Sequence, residues 1–490
     1  MAAFKSVGQV CAVSMAGNLL VHGESQLSGN IWDGRVVVNT LVTEGATSAP
    51  PVTGVAVGET LVGKTSSGVV CVDAATTGGR AGDLILSGTD DGHVQVWAIR
   101  GGEEDADGDV SFGGTDSGER RLVLASEFCA HDGGVSAIKV KRRSDLQSVV
   151  ATCGWDGKVA IWLLDTSTGT AAPAGSFLAH VGIVHGLAWR EGNRGRVLAT
   201  AGQDATVRFW SIHLGEGGGE GGGEGGGEGG ENGDGGGVAG KRKRGDEGRG
   251  AAGVGAVEMA AAAAASGAFR VAKVGGAKLD SACLCVAWTV GYDEQDVVAV
   301  GLATGGITVL RVAVGEETTG AGNGGAAAKT GGKGQARAAA TTSLERLLQK
   351  GGATAAAAGA SASAGAGAGA GAGQRRRWRQ RQRAKKGSVL VQRMPGTEAC
   401  ARFHGDARVL SVHLGFRAGT GIHLCSAGAD CKVGSWLLGS EGSGGEAKAY
   451  RLEPEKQEPL EDYASSVCIN GGSVAVGSWG REVRVYNVPG

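Results

Sequence analysis

The sequence predicts an all-β protein built from a repeated unit of short antiparallel strands, and three observations predict it. First, the stretch from His131 to Ile212 repeats itself: H-D-G-G-V-S-A-I-K-V and V-V-A-T-C-G-W-D-G-K-V-A-I-W-L-L are followed by H-V-G-I-V-H-G-L-A-W and V-L-A-T-A-G-Q-D-A-T-V-R-F-W-S-I. Second, in each copy a Thr stands four residues before an Asp and a Trp six after it: Thr152, Asp156 and Trp162, then Thr200, Asp204 and Trp210. A histidine opens each copy, His131 and His180. Third, the apolar runs are short, rich in β-branched residues and separated by Gly, Asp or Lys, which suits strands joined by tight turns.

The chemistry of one copy explains its spacing. Asp156-Gly157 followed by Lys158 signals a tight turn between the second and third strands. A Trp on the third strand brings a large apolar area and an indole N–H that needs an acceptor once buried. The Thr hydroxyl, the His ring and the Asp carboxylate can link into one hydrogen-bonded chain that ends on that N–H. These residues resemble the WD40 repeat. The resemblance implies a β-propeller, commonly of seven blades with four strands and about 40–45 residues each. It also implies that His, Ser/Thr, Asp and Trp form a structural tetrad in each complete blade.

Taken in order, residues 1–45 hold four strand-like runs and make a degenerate first unit, in which Trp32-Asp33 resembles the family's Trp-Asp pair. Residues 69–122 form a second, with Ser87, Asp91 and Trp97 at the repeat spacing but no opening histidine. The two complete copies occupy 130–178 and 180–213. A unit over 281–313 carries Thr304 and Leu310 where the pattern places Asp and Trp. His404, Ser426, Asp430 and Trp436 mark a further complete tetrad over 404–440. The last unit, 465–488, has only three strands, with Tyr486 in the Trp position. That makes seven units, and residues around Phe4 to Gln9 are expected to supply the missing outer strand and close the ring.

Composition separates the folding parts from the rest. Glycine is 94 of 490 residues, against an average near 7%, and the excess sits in low-complexity tracts. Two insertions are expected to be disordered: 214–279, and 315–387, which ends in a basic run. The ten cysteines are scattered with no C-x-x-C pair; they read as small buried hydrophobes in a reducing compartment, with no metal or disulfide framework. The first residues lack the apolar core of a signal peptide and no run of about 18 apolar residues occurs. The expectation is a soluble intracellular protein without membrane contact.

Two motifs compete for a functional reading. Gly58 to Thr65 matches the phosphate-cradling pattern G-x-x-x-x-G-K-[ST] with Lys64. That pattern needs a helix after the Lys-Thr, and here a strand-like run follows, so the stretch is expected to be a loop between blades. Two basic stretches stand in the insertions: Lys241, Arg242, Lys243 and Arg244, and then Arg375, Arg376, Arg377, Arg379, Arg381, Arg383, Lys385 and Lys386. Three readings compete for them: a solvated charge run, a nuclear import address, and a nucleic-acid-binding arm; the two stretches together favour the import address. No catalytic constellation emerges and no cofactor is implied; the tetrad residues have structural work. The function expected is a non-catalytic scaffold for protein–protein interaction in a nuclear or nucleocytoplasmic multiprotein complex, with no small-molecule substrate. The alternative is a nucleic-acid-associated factor in RNA processing or tRNA modification that uses 375–386. For that alternative, V-V-A-V-G-L-A-T-G-G-I-T-V-L-R-V and L-C-S-A-G-A-D-C-K-V-G-S-W are similar to the end of the Elongator complex's second subunit.

Overall fold

The computed structural model describes residues 2–28, 31–44, 54–75, 83–101, 120–144, 146–191, 196–214, 269–290, 296–315, 389–394, 403–417, 421–440, 450–470 and 472–487. The described strands form seven four-stranded antiparallel sheets, with no helix among the described residues. A short strand, β1 (Ala2–Lys5), precedes blade 1, which is β2 (Gln9–Ala16), β3 (Leu19–Ser28), β4 (Ile31–Glu44) and β5 (Gly54–Thr65). Blade 2 is β6 (Val69–Ala75), β7 (Leu84–Thr89), β8 (His93–Arg100) and β9 (Arg121–Cys129). Blade 3 is β10 (Val135–Arg142), β11 (Gln147–Gly154), β12 (Lys158–Asp165) and β13 (Ala171–Leu178). Blade 4 is β14 (Val184–Trp189), β15 (Val197–Gly202), β16 (Thr206–Leu214) and β17 (Phe269–Lys278). Blade 5 is β18 (Cys283–Val290), β19 (Asp296–Leu302), β20 (Ile307–Val314) and β21 (Val389–Arg393). Blade 6 is β22 (Val409–Arg417), β23 (Gly421–Gly428), β24 (Lys432–Ser440) and β25 (Tyr450–Pro459). Blade 7 is β26 (Ala464–Asn470), β27 (Ser473–Ser478) and β28 (Glu482–Asn487), completed by β1.

The second strand of a blade is apolar on both sides, because both sides are covered. All eight residues of β11 except Gln147 are buried, and β15 is buried throughout. Outer strands such as β9 and β13 alternate between half-buried and exposed positions. The core is therefore a set of layers between blades. Val135, Ile138, Val150 and Trp162 of blade 3 pack on Leu86, Val94 and Val96 of blade 2; Val184, Leu198 and Trp210 of blade 4 pack on Ala151, Cys153 and Ile161 of blade 3. The same arrangement runs round all seven interfaces.

Closure comes from the N-terminal strand. β1 pairs with β28, Ala2 opposite Val485 and Lys5 opposite Glu482, so the edge of β28 is covered where the two overlap. The closing strand is residues 2–5, earlier than expected, since Gln9 already begins β2. The seam it makes with blade 1 is thin: its buried cluster holds Val10, Val13, Leu20, Cys468, Ala475, Val483 and Val485, about half the membership of the layer between blades 4 and 5.

The structure corrects several boundaries. The first sheet spans 9–65, and the phosphate-loop look-alike Gly58–Thr65 lies on its outer strand β5 instead of in a loop. Phe269–Lys278, expected inside the insertion 214–279, is the outer strand β17 paired with β16. The polar stretch after 440 likewise contains β25. Outer strands are half exposed, so they tolerate Gly and charge and lack the apolar signature of inner ones. Trp32 does not occupy a tryptophan position: it lies opposite Leu27 on the β3–β4 hairpin and is 46% exposed. Both basic stretches, 241–244 and 375–386, lie outside the described residues.

Candidate interaction face

One face of the ring carries the turns between second and third strands and the loops between blades; it is called the turn face here. The third strand of each blade ends, and the fourth begins, at the opposite face.

Hydrogen-bonded relays fix the backbone of the turn face. In blade 3 the Trp162 indole N–H donates to Thr152 Oγ1 (3.2 Å), and the Thr152 hydroxyl lies 3.0 Å from His131 Nε2. His131 Nδ1 is 3.1 Å from Asp156 Oδ1, which also accepts the Lys158 backbone N–H (3.0 Å). One consistent proton arrangement follows: Nδ1–H donates to the carboxylate and Nε2 accepts from the hydroxyl. Blade 4 repeats it, with Trp210 to Thr200 at 3.0 Å, Thr200 to His180 at 2.7 Å and His180 to Asp204 at 2.9 Å. There Arg208 adds two bonds, from Nη2 to Asp204 (2.7 Å) and from Nη1 to the Ala179 carbonyl (2.5 Å), tying the inter-blade loop to the turn. In blade 6, His404 lies 2.7 Å from both Ser426 Oγ and Asp430 Oδ1, and Trp436 is buried.

Blade 2 uses other groups. Trp97 donates to Ser87 (3.0 Å), Ser87 to Gln95 (3.4 Å) and Gln95 to Glu127 (2.8 Å). Asp91 accepts instead from the Thr89 hydroxyl and the His93 backbone N–H. Burial, opposed by the facing aspartates, keeps the imidazoles of His131, His180 and His404 below the ordinary histidine pKa, so they are neutral at pH 7. A neutral ring suits the relay, because Nε2 must accept. Among the described residues no three His, Cys, Asp or Glu side chains gather as a metal site requires.

Onto this fixed backbone the turn face mounts exposed apolar side chains that repeat spacing did not single out. Trp155, in the β11–β12 turn, is 52% exposed and packs against Gly134, where a Cβ would come within 2.9 Å of the indole. Its backbone N–H donates to the Gly134 carbonyl (3.1 Å). Val181, beside His180, is 77% exposed, and Leu178 next to it is also exposed. In blade 7, Tyr463 and Trp479 stack with ring centroids 5.3 Å apart, and Trp479 is 39% exposed. Repeat spacing carries no signal for them, because a turn residue recurs only by position.

The arrangement presents exposed aromatic and apolar side chains of the kind that anchor protein interfaces. The WD40 family model (WD domain, G-beta repeat) matches residues 57–98 and 123–162. The chain is similar to a ribosome biogenesis protein WDR12 homolog of Chlamydomonas reinhardtii, 27% identical over 157 residues, which is 27% of this chain and 32% of that protein. The match thus spans about a third of that relative's length. Two crystal structures of Sqt1 from Chaetomium thermophilum align with it at 12% identity and TM-scores of 0.46 and 0.47, over 99% of this chain and 98% and 99% of theirs. With the repeat matched in two stretches and seven four-stranded blades closed into one ring, this chain carries WD40 repeats and is built as a seven-bladed β-propeller.

Proposed function

We propose that this chain is a non-catalytic scaffold whose turn face docks segments of other proteins, as a subunit of a nuclear or nucleocytoplasmic multiprotein assembly. The observation that carries this reading is the exposure of Trp155, Tyr463 and Trp479 on backbone held by relays or by tight hydrogen-bonded turns. Rigid aromatic anchors lose little entropy on binding and supply most of the energy of protein interfaces. The relative named for ribosome biogenesis supports a complex of that kind.

Co-purification of the tagged full chain from cell extract tests it. Stoichiometric protein partners are expected, and they should be lost from a Trp155→Ala/Trp479→Ala variant that melts like the parent. A partner set indifferent to both substitutions, or recovery of RNA alone, would overturn the proposal.

A further inference from the structure

The seven blades can be aligned residue by residue through their pairing. The relay tryptophan stands opposite a fixed position of the second strand: Trp97 opposite Ile85, Trp162 opposite Val150, Trp210 opposite Leu198 and Trp436 opposite Leu424. Leu310 opposite Val298 and Tyr486 opposite Val474 fill the same place in blades 5 and 7. All six side chains are buried against the preceding blade. In blade 1 the position is Asn39, opposite Leu20. Asn39 is short and polar, so blade 1 lacks the ring that every other blade except blade 5 places there.

The rest of the blade 1 relay is altered to match. His22 takes the Ser/Thr position, opposite Val13 as Thr152 is opposite Ile138. Glu24 takes the position of Gly154, Gly202 and Gly428, where the other blades leave room for a histidine ring. Glu24 accepts from the Gly8 N–H (3.1 Å) and lies 3.1 Å from His22 Nε2. Asn39 Nδ2 lies 3.4 Å from His22 Nδ1, and Asn39 Oδ1 accepts the Thr60 hydroxyl (2.8 Å).

A cleft of about 230 Å³ occupies the space, lined by Phe4 and Lys5 from blade 7 and by Arg35, Val37, Val57 and Val62 from blade 1, with His22 and Asn39 at its floor. Its aromatic wall is already in place. Phe4 stands opposite Val483 as Phe128 stands opposite Val94 and Phe177 opposite Val159. Those two phenylalanines pack on Trp162 and Trp210, at 4.3 and 4.7 Å between centroids. Phe4 instead meets the His22 ring, at 5.9 Å.

We propose that this vacant indole slot, on the outer rim between blades 7 and 1, takes the tryptophan side chain of an extended, acidic segment of a partner protein. Phe4 stacks on the incoming ring as Phe128 and Phe177 stack on the chain's own. Asn39 Oδ1 has a second lone pair for the indole N–H, replacing the Thr152 or Thr200 oxygen of the complete relays. Arg35 lines the cleft, as does Lys5, which also pairs with Glu461 (3.7 Å), and these cations favour acidic residues flanking the ring; the Glu24 carboxylate that lines it too is engaged by the Gly8 N–H and His22. The site contains none of the turn-face anchors Trp155, Tyr463 and Trp479, so the two proposals stand or fall separately.

The test uses the full chain and a fluorescein-labelled peptide with one tryptophan flanked by Asp and Glu, followed by anisotropy. Saturable binding is expected, lost when the peptide's tryptophan is replaced by alanine. Filling the slot should weaken binding about tenfold or more, either from its floor with Asn39→Trp or from its exposed lip with Val62→Trp. The lip variant alters a surface position and keeps the test valid should the floor variant misfold. N-acetyl-tryptophanamide should compete only at much higher concentration. Equal binding of the alanine peptide, or full affinity in a folded slot-filled variant, overturns the proposal. An amide that binds as tightly as the peptide assigns the slot to a free ring and overturns the peptide assignment.

Discussion

Trp162 and Thr152 are diagonal neighbours on two paired strands, with the indole N–H 3.2 Å from the hydroxyl oxygen. That single acceptor joins the outer packing of blade 3 to His131 on the loop entering it. Replacing Thr152 with Val keeps shape and removes the oxygen, leaving a buried indole N–H and a buried imidazole nitrogen unpaired. Each unpaired group costs about 1–3 kcal/mol, so Thr152→Val should destabilise by about 2–4 kcal/mol in denaturant melts. Trp162→Phe retains most of the ring and removes only the donor, and should cost less. A Thr152→Val variant as stable as the parent would mean that packing alone matters here.

The residue after the relay aspartate sits in the left-handed region: Gly157 at φ 76°, Ala205 at 60° and Cys431 at 61°. Side chains with a Cβ are strained there by about 1–2 kcal/mol. Cys431→Gly is therefore expected to raise stability by about 1 kcal/mol. Gly157→Ala should lower it by at least about 1 kcal/mol, since its Cβ would also stand 2.8 Å from the His180 carbonyl oxygen. Thermal melts of the two variants should move in opposite directions.

Acid should weaken the ring well before its carboxylates titrate. Burial depresses His131, His180 and His404, and drives His413 on β22 down to about 3, helped by the charge of Lys139. Below pH 6.5 the unfolded chain takes up these protons and the folded chain does not, so stability falls as pH falls. For His413 the window runs from about 6.5 to 3, at about 1.4 kcal/mol per pH unit. The His413 Nδ1 accepts the Ile469 N–H (3.3 Å), which protonation would abolish. His413→Gln should flatten the pH dependence of the melting temperature between 7 and 5; an unchanged slope would assign the sensitivity elsewhere.

Deleting residues 2–5 removes β1 and uncovers the edge of β28. The expected outcome is a lower melting temperature together with concentration-dependent association, because an unpaired edge recruits other strands. Sedimentation velocity on the truncated chain checks the second effect. A monomer at every concentration would show that β1 is dispensable as a cover.

The fold was legible because a tight turn counts residues: Thr152 to Asp156 to Trp162 is a strand end, a turn and a strand, and that distance cannot drift. Outer strands gave no comparable signal. β17 reads F-R-V-A-K-V-G-G-A-K, with charge and glycine on its exposed side. Blade 1 misled for a different reason, since its Trp32-Asp33 pair imitates the family pattern with Trp32 seven residues before Asn39, the residue that holds the tryptophan position. Only strand register reveals that Asn39 stands there, and single-sequence spacing does not contain register. Trp155 was invisible for want of a pattern: a turn residue repeats only by position, and the equivalent residue in blade 4 is Gln203.

The central claim is that the turn face is where other proteins dock. Hydrogen exchange of the full chain, alone and in its purified complex, measures this most directly. Protection confined to 132–134, 155–157, 181–183, 461–463 and 479–481 is the predicted result. Protection on the opposite face, with those loops exchanging as in the free chain, would contradict it.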